Sequence, residues 1–210
     1  MSALPRRYAL ALVFLSALAV CAVSMRYFMV SADAYPFEEQ GAVYAANRTA
    51  LLVHVAGGML ALLAGPVQFL RGLRDRRPVL HRINGWVYAL AVVSASVSGL
   101  MLSGHAFGPA SNKAAFAMLA VLWFIATATG IRAVIAGDLL QHRRWMIRSY
   151  ALAFSGVTLR AETLLLAVAA DMEFAAAYGI AAWLCWVGNL LVAEWLVLRW
   201  PPARRVASSG

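Results

Sequence analysis

The sequence predicts an all-α polytopic membrane protein, folded as a bundle of six transmembrane helices. The composition supports this prediction, because 63 % of the 210 residues are hydrophobic, 13 % are charged and the mean hydropathy is +0.74. A soluble domain carries about 25 % charged residues, so the composition excludes a soluble enzyme and a disordered chain. The apolar runs are also long and continuous, which disfavours a β-barrel, because barrel strands alternate apolar and polar residues.

Six apolar stretches set the number of helices, since each reaches the length of about 20 residues that a helix needs to span a bilayer. We predict the six helices at residues 8–30, 47–70, 82–103, 113–135, 145–170 and 175–198. The connections between them are short, so residues 1–210 are predicted to form a single transmembrane domain.

The distribution of charge predicts the orientation. With the N-terminus inside, most of the 18 basic residues lie in the inner segments and most of the nine acidic residues lie on the outer side. Because cytoplasmic loops are enriched in Lys and Arg, both termini are predicted to be cytoplasmic in a multi-pass protein of the bacterial inner membrane. The net charge of +9 then requires no nucleic acid partner. Membrane lipids are the expected partners, and the segment RGLRDRR (71–77) is expected to bind anionic headgroups.

The first two predicted helices differ in the side chains that they carry. The first is an apolar run that is too long for a signal peptide. The second has His54, Gly58, Ala61 and Gly65 at helical spacing, so that one of its sides is nearly bare backbone. A flat macrocycle could lie against such a side, although small residues in membrane helices also serve close helix packing.

The third predicted helix has a histidine near each end. His81 opens it on the inner side and aligns with Gly85 and Tyr88. His105 lies at its outer end or in the following loop, and not clearly on the fourth predicted helix.

The fifth predicted helix combines a histidine with an arginine. His142 lies at its inner start and Arg160 lies 18 residues further on. Because 18 residues make five turns, the two share a face with Ser149, Ala153 and Gly156.

Arg160 is expected to face the bundle interior, because an arginine inside a membrane is costly and usually has a partner there. Glu162 is two residues away and points to another side of the helix. The candidate partners are a haem propionate, a quinone or other anionic ligand, and a polar group of another helix; a snorkelling arginine is the structural alternative. On the sixth predicted helix, Glu194 is expected to snorkel to the inner surface.

The four histidines divide into an outer pair, His54 with His105, and an inner pair, His81 with His142. Haem iron takes axial imidazole ligands from facing helices, so this layout suggests one or two haem b groups, with the four histidines as axial ligands. Interfacial histidines can also be solvated or bind lipid phosphate, and the same side chains could hold copper or another metal. The candidate cofactor-binding residues are His54, His81, His105, His142, Arg160, Gly58 and Tyr88.

Two segments carry a family resemblance, HVAGGMLALLAGPVQFLRGLRDRRPVLHRINGWVYALAV and GDLLQHRRWMIRSYALAFSGVTLR. They resemble a bacterial family of predicted membrane proteins known as domain of unknown function 2306, over roughly residues 47–165. This resemblance implies a membrane protein and no particular activity. The layout alone is similar to the b561-type transmembrane cytochromes, which carry two haems and move electrons across a membrane. Here His81 and His142 lie closer to the surface than the haem ligands of that family.

We therefore interpret the protein as an integral membrane haem b protein that transfers electrons, and as a candidate transmembrane or quinone-linked oxidoreductase. The first alternative is a haem-free transporter or small-molecule-binding membrane protein, in which the histidines and Arg160 line a path for protons or an anionic ligand. No half-helix break or inverted repeat of the transporter type is apparent in the sequence. The second alternative is a structural or assembly subunit.

Overall fold

The computed structural model describes residues 3–31 and 40–198, and for residues 3–7 it describes the backbone alone. Both described ranges are helical apart from short turns, and they contain no strand. The helices are α1 (Ala3–Ser24), α2 (Arg26–Met29), α3 (Gly41–Ala46), α4 (Arg48–Gln68), α5 (Arg71–Arg76), α6 (Pro78–Ser103), α7 (Ala110–Ile135), α8 (Leu139–Ala153), α9 (Ser155–Ala169) and α10 (Phe174–Leu198).

Five stretches of the described chain are long and apolar enough to cross a membrane. They are Tyr8–Met29, α4, α6, α7 and α10. Helices α8 and α9 meet at a bend of 41° and give a sixth span if they are counted together. The prediction of an all-α membrane protein is confirmed. The orientation of the termini stays a prediction, and residues 199–210 lie outside the described residues.

The predicted helix ends are close to those observed. The second and sixth predicted helices differ little from α4 and α10, whereas α6 and α7 begin earlier than predicted. Pro78 occupies the first turn of α6, where its missing N–H costs no hydrogen bond.

The fifth predicted helix, 145–170, is divided at Phe154 into α8 and α9. Side chains across the interface with α10 bond to backbone carbonyls around this break. The Asn189 amide donates to the Ala151 carbonyl at 3.0 Å, and the Thr158 hydroxyl donates to the Cys185 carbonyl at 3.0 Å. The helical face expected to join His142 to Arg160 is therefore interrupted.

Small residues bring the helices into close contact. Helix α4 packs along α6, α7 packs against α6 and α8, and α10 packs against α8 and α9. A Cβ atom at Gly57 would lie 2.8 Å from the Ala91 carbonyl oxygen, and one at Gly65 would overlap the Tyr150 ring. The buried small residues of α4 therefore serve helix packing, which is one of the two roles expected for them.

Candidate functional site

A cavity of about 580 Å³ lies at the end of the bundle that carries His105. We call this the outer end, after the predicted orientation, and the cavity the outer cavity. It is lined by side chains from each of the helices α1 to α10 except α5. Its volume lies within the range of small-molecule sites, about 300–1,000 Å³. Most of its lining is apolar, and the polar groups include His54, Arg160 and several tyrosines.

The imidazole of His54 is held in one orientation by α6. Its Nδ1 lies 2.9 Å from the carbonyl oxygen of Ala95. Because a carbonyl oxygen only accepts, Nδ1 carries the proton and Nε2 keeps its lone pair. Gly99 makes room for the ring, since a Cβ there would lie 2.8 Å from Nδ1. His54 lines the outer cavity, so Nε2 can act there as a hydrogen-bond acceptor or a metal ligand.

Arg160 brings a positive charge to the same cavity. Its Nη1 donates to the Gly156 carbonyl at 2.6 Å, one turn earlier on α9. Among residues 8–31 and 40–198, no carboxylate lies within 4.0 Å of its guanidinium group. Glu162 is not its partner, and one Glu162 oxygen is buried without a hydrogen bond from the described chain. Within the described ranges, the Arg160 charge therefore has no carboxylate partner.

Aromatic rings surround the mouth of the cavity. The ring of Tyr178 lies about 5.9 Å from each of three phenylalanine rings, those of Phe107, Phe116 and Phe174. The rings of Tyr27 and Tyr44 meet edge to face at 6.2 Å. Burial raises the pKa of the Tyr44 phenol above its usual value, and nearby Arg160 opposes this only in part. Tyr44 is therefore neutral at physiological pH and can donate or accept a hydrogen bond.

The structure brings four of the seven predicted residues to the outer cavity: His54, His105, Gly58 and Arg160. His105 is exposed in the connection after α6. It lies two residues beyond Ser103, where α6 ends. A Cβ at Gly58 would meet no atom within 4 Å, so the cavity is open beside it.

The inner pair lies elsewhere, because neither His81 nor His142 lines the outer cavity. The two are close enough to interact electrostatically. Nδ1 of His142 lies 2.8 Å from the Gly130 carbonyl oxygen, and Nδ1 of His81 is buried without a partner from the described chain. No cluster of three or more His, Cys, Asp or Glu side chains suited to a metal ion occurs in the described ranges.

Comparison with known families decides what kind of protein this is. Residues 51–197 match the family model described as "Predicted membrane protein (DUF2306)". The chain belongs to the DUF2306 family. No curated protein and no solved structure matches it. The matched range runs from Leu51 in α4 into α10, so it contains His54 and Arg160, whereas α1 to α3 precede it.

In this DUF2306 chain, Tyr88 belongs to a buried chain of hydroxyl groups and does not line the outer cavity. Its hydroxyl lies 2.7 Å from Ser149 Oγ, which lies 2.7 Å from Thr127 Oγ1. Thr127 donates to the Trp123 carbonyl at 2.9 Å. Because the Thr127 hydroxyl has only this one proton to donate, it accepts from Ser149, and Ser149 in turn accepts from Tyr88. This chain links α6, α7 and α8.

An ion pair between Arg148 and Glu194 was missed by the sequence analysis, which expected Glu194 to snorkel. Nη2 of Arg148 donates to Oε2 of Glu194 at 2.8 Å, and Nε donates to Oε1. The Arg148 guanidinium also lies 4.7 Å from the centre of the Trp145 ring. The ion pair joins α8 to α10, whereas the contact with Trp145 lies within α8. Arg148 and Glu194 lie far apart in the sequence, so no helical periodicity could have predicted their pairing.

Proposed function

We propose that this DUF2306 membrane protein binds one haem b in the outer cavity, with His54 as an axial ligand, and transfers electrons. The single observation that carries the proposal is the hydrogen bond from His54 Nδ1 to the Ala95 carbonyl, beside a cavity of about 580 Å³. Haem-ligating histidines need an Nε2 lone pair, and a backbone acceptor at Nδ1 supplies it by fixing the tautomer.

The other lining residues are compatible with a haem. The open space beside Gly58 can accept a flat ring, and the Arg160 guanidinium can pair with a propionate. His105 lines the same cavity and is the second imidazole that could hold the haem. The aromatic rings at the mouth limit the access of water. Haem b, when bound, supplies one-electron redox chemistry.

The proposal is limited to one haem because the inner histidines do not border this cavity. It names no electron donor or acceptor. A quinone remains a candidate partner.

The test is an absorption spectrum of the purified protein from cells supplied with haem, recorded before and after reduction with dithionite. A b-type spectrum is expected for the wild type, and its loss is expected for His54→Ala. His81→Ala is the matched control, because it also removes one imidazole but lies outside the cavity. A wild type without haem bands, or equal haem content in the two variants, would contradict the proposal.

A second candidate function is haem-free binding or transport of an anionic amphiphile. The observation that favours it is the break between α8 and α9, because Leu152, Ala153, Ser155 and Gly156 around this break line the cavity. Discontinuous helices often form the substrate sites of transporters.

Decanoate, a carboxylate with an apolar tail, is a suitable probe for this second function. Native mass spectrometry of the colourless protein should detect a decanoate adduct that Arg160→Gln loses. Lys113→Gln is the control, since Lys113 is exposed and does not line the cavity. An adduct that survives Arg160→Gln would exclude this mode of binding.

A further inference from the structure

The end of the bundle opposite the outer cavity carries a strong positive charge. We define the basic patch as Arg71 and Arg74 of α5 together with Arg143 and Arg144 of α8. Asp75 is its acidic neighbour and is bonded to Arg74 at 2.8 Å. The Arg74 hydrogen bond lowers the pKa of Asp75 below its usual value. Asp75 is therefore ionised at neutral pH, and the four arginines still exceed it by three charges.

The two halves of the basic patch lie close together although they are far apart in sequence. The charges of Arg71 and Arg143 both act on the carboxylate of Asp75. Arg74 in turn acts on His81, at the start of α6. The charges of Arg71, Arg74 and Arg143 therefore lie within electrostatic range of Asp75.

Unused donors in this region point to a ligand. Nε of Arg144 is buried and has no hydrogen-bond acceptor in the described chain. The buried Nδ1 of His81 is likewise without a partner there. A buried donor without an acceptor is destabilising, and more so when it is charged. An anionic oxygen would remove this cost at Arg144.

Helix α6 follows α5 directly in the chain and carries an exposed apolar face. Val79, Ile83 and Trp86 recur at helical spacing and are 62 %, 55 % and 57 % exposed. Tryptophan is enriched where membrane interfaces meet headgroups. Cationic groups beside an exposed apolar stripe match a molecule with an anionic head and acyl chains.

We propose that the basic patch is a binding site for the phosphate of an anionic phospholipid, whose acyl chains lie against the Val79–Ile83–Trp86 face. The arginines supply charge-assisted hydrogen bonds to the phosphate oxygens. Free phosphate has the same head chemistry but no acyl chain, so it cannot use the apolar face. The site does not depend on the proposed haem.

The test uses the full-length protein in detergent, with thermal unfolding followed as lipid is added. Phosphatidylglycerol is expected to raise the unfolding midpoint, whereas phosphatidylcholine and inorganic phosphate at equal concentration are not. Each arginine near a membrane surface contributes roughly a fivefold gain in affinity for anionic lipid. The double variant Arg143→Gln/Arg144→Gln should therefore bind phosphatidylglycerol roughly 25-fold more weakly.

The matched control is Arg82→Gln/Arg132→Gln, which removes two exposed arginines that belong neither to the patch nor to residues 71–77. Equal weakening in both double variants would indicate diffuse attraction and overturn the site. Stabilisation by inorganic phosphate equal to that by phosphatidylglycerol, or no effect of phosphatidylglycerol, would also overturn it.

Asp75→Asn removes an exposed carboxylate, so it leaves the fold intact and should strengthen lipid binding. Unchanged binding would count against the patch. Haem absorption should be the same in all these variants.

Discussion

Adjacent glycines of α4 allow helix packing and cavity shape to be tested separately. Gly57 faces α6, where a Cβ would lie 2.7 Å from Ser94 Oγ and 2.8 Å from the Ala91 carbonyl oxygen. Gly58 faces the outer cavity, where a Cβ would meet no atom within 4 Å. We predict that Gly57→Ala destabilises the protein and that Gly58→Ala does not.

The size of the effect follows from two opposing terms. Alanine is favoured over glycine inside a helix by about 0.5–1 kcal/mol, and both variants share this gain. At Gly57 the new methyl group meets a backbone oxygen, which cannot move aside without shifting α6. Overpacking of this kind costs about 1–3 kcal/mol. The difference in unfolding free energy between the two variants should therefore be about 1–3 kcal/mol.

The assay is unfolding of the detergent-solubilised protein by sodium dodecyl sulfate, followed by tryptophan fluorescence. Gly57→Ala should unfold at a lower fraction of dodecyl sulfate than the wild type, and Gly58→Ala at the same or a higher fraction. Equal midpoints for the two variants would refute the close α4–α6 contact. A less stable Gly58→Ala would refute the open space beside that residue.

Three further predictions concern the remaining polar contacts. Ser149→Ala leaves a buried hydroxyl donor without an acceptor and should cost about 1–3 kcal/mol in the same unfolding assay, whereas Tyr88→Phe should cost about 0.5–1.5 kcal/mol. In a double-mutant cycle of Arg148→Gln and Glu194→Gln, the coupling free energy of unfolding should be about 1 kcal/mol, since the glutamate side chain is 42 % exposed. A coupling free energy of zero would show that the ion pair contributes no stability. Gly99→Ala should displace the adjacent imidazole. It should lower the haem content strongly and the unfolding midpoint only slightly.

The sequence predicted the helices well because a bilayer leaves few options for an apolar run of this length. The break at Phe154 was not predicted, since the surrounding residues remain apolar and the run is continuous. A signal was present in the adjacent Ser155 and Gly156, because sharp kinks often occur at Gly/Ser pairs. The contacts with α10 at the break, from Asn189 to the Ala151 carbonyl and from Thr158 to the Cys185 carbonyl, could not be identified without the packing.

The candidate site was predictable only in part. His54 and Arg160 stand out because polar side chains are rare in apolar runs, and both line the outer cavity. Two features of the site depend on how α4 and α6 pack: the Ala95 carbonyl that accepts from His54, and the space that Gly99 leaves for the ring. Glu194 was misjudged because its distance from the helix end suggested solvent, whereas its partner lies on α8.

The outer and inner histidines show why the symmetric two-plus-two pattern is insufficient to predict two cofactors. His54 and His142 both bond through Nδ1 to a carbonyl of the neighbouring helix, so both keep an Nε2 lone pair if neutral. His54 adjoins a cavity, whereas His142 bonds to α7 where α7 and α8 pack so tightly that a Cβ at Gly130 would lie 2.8 Å from the Met146 sulfur. Ligation needs both a lone pair and space beside it. Our proposal is therefore limited to one haem, held by the outer pair.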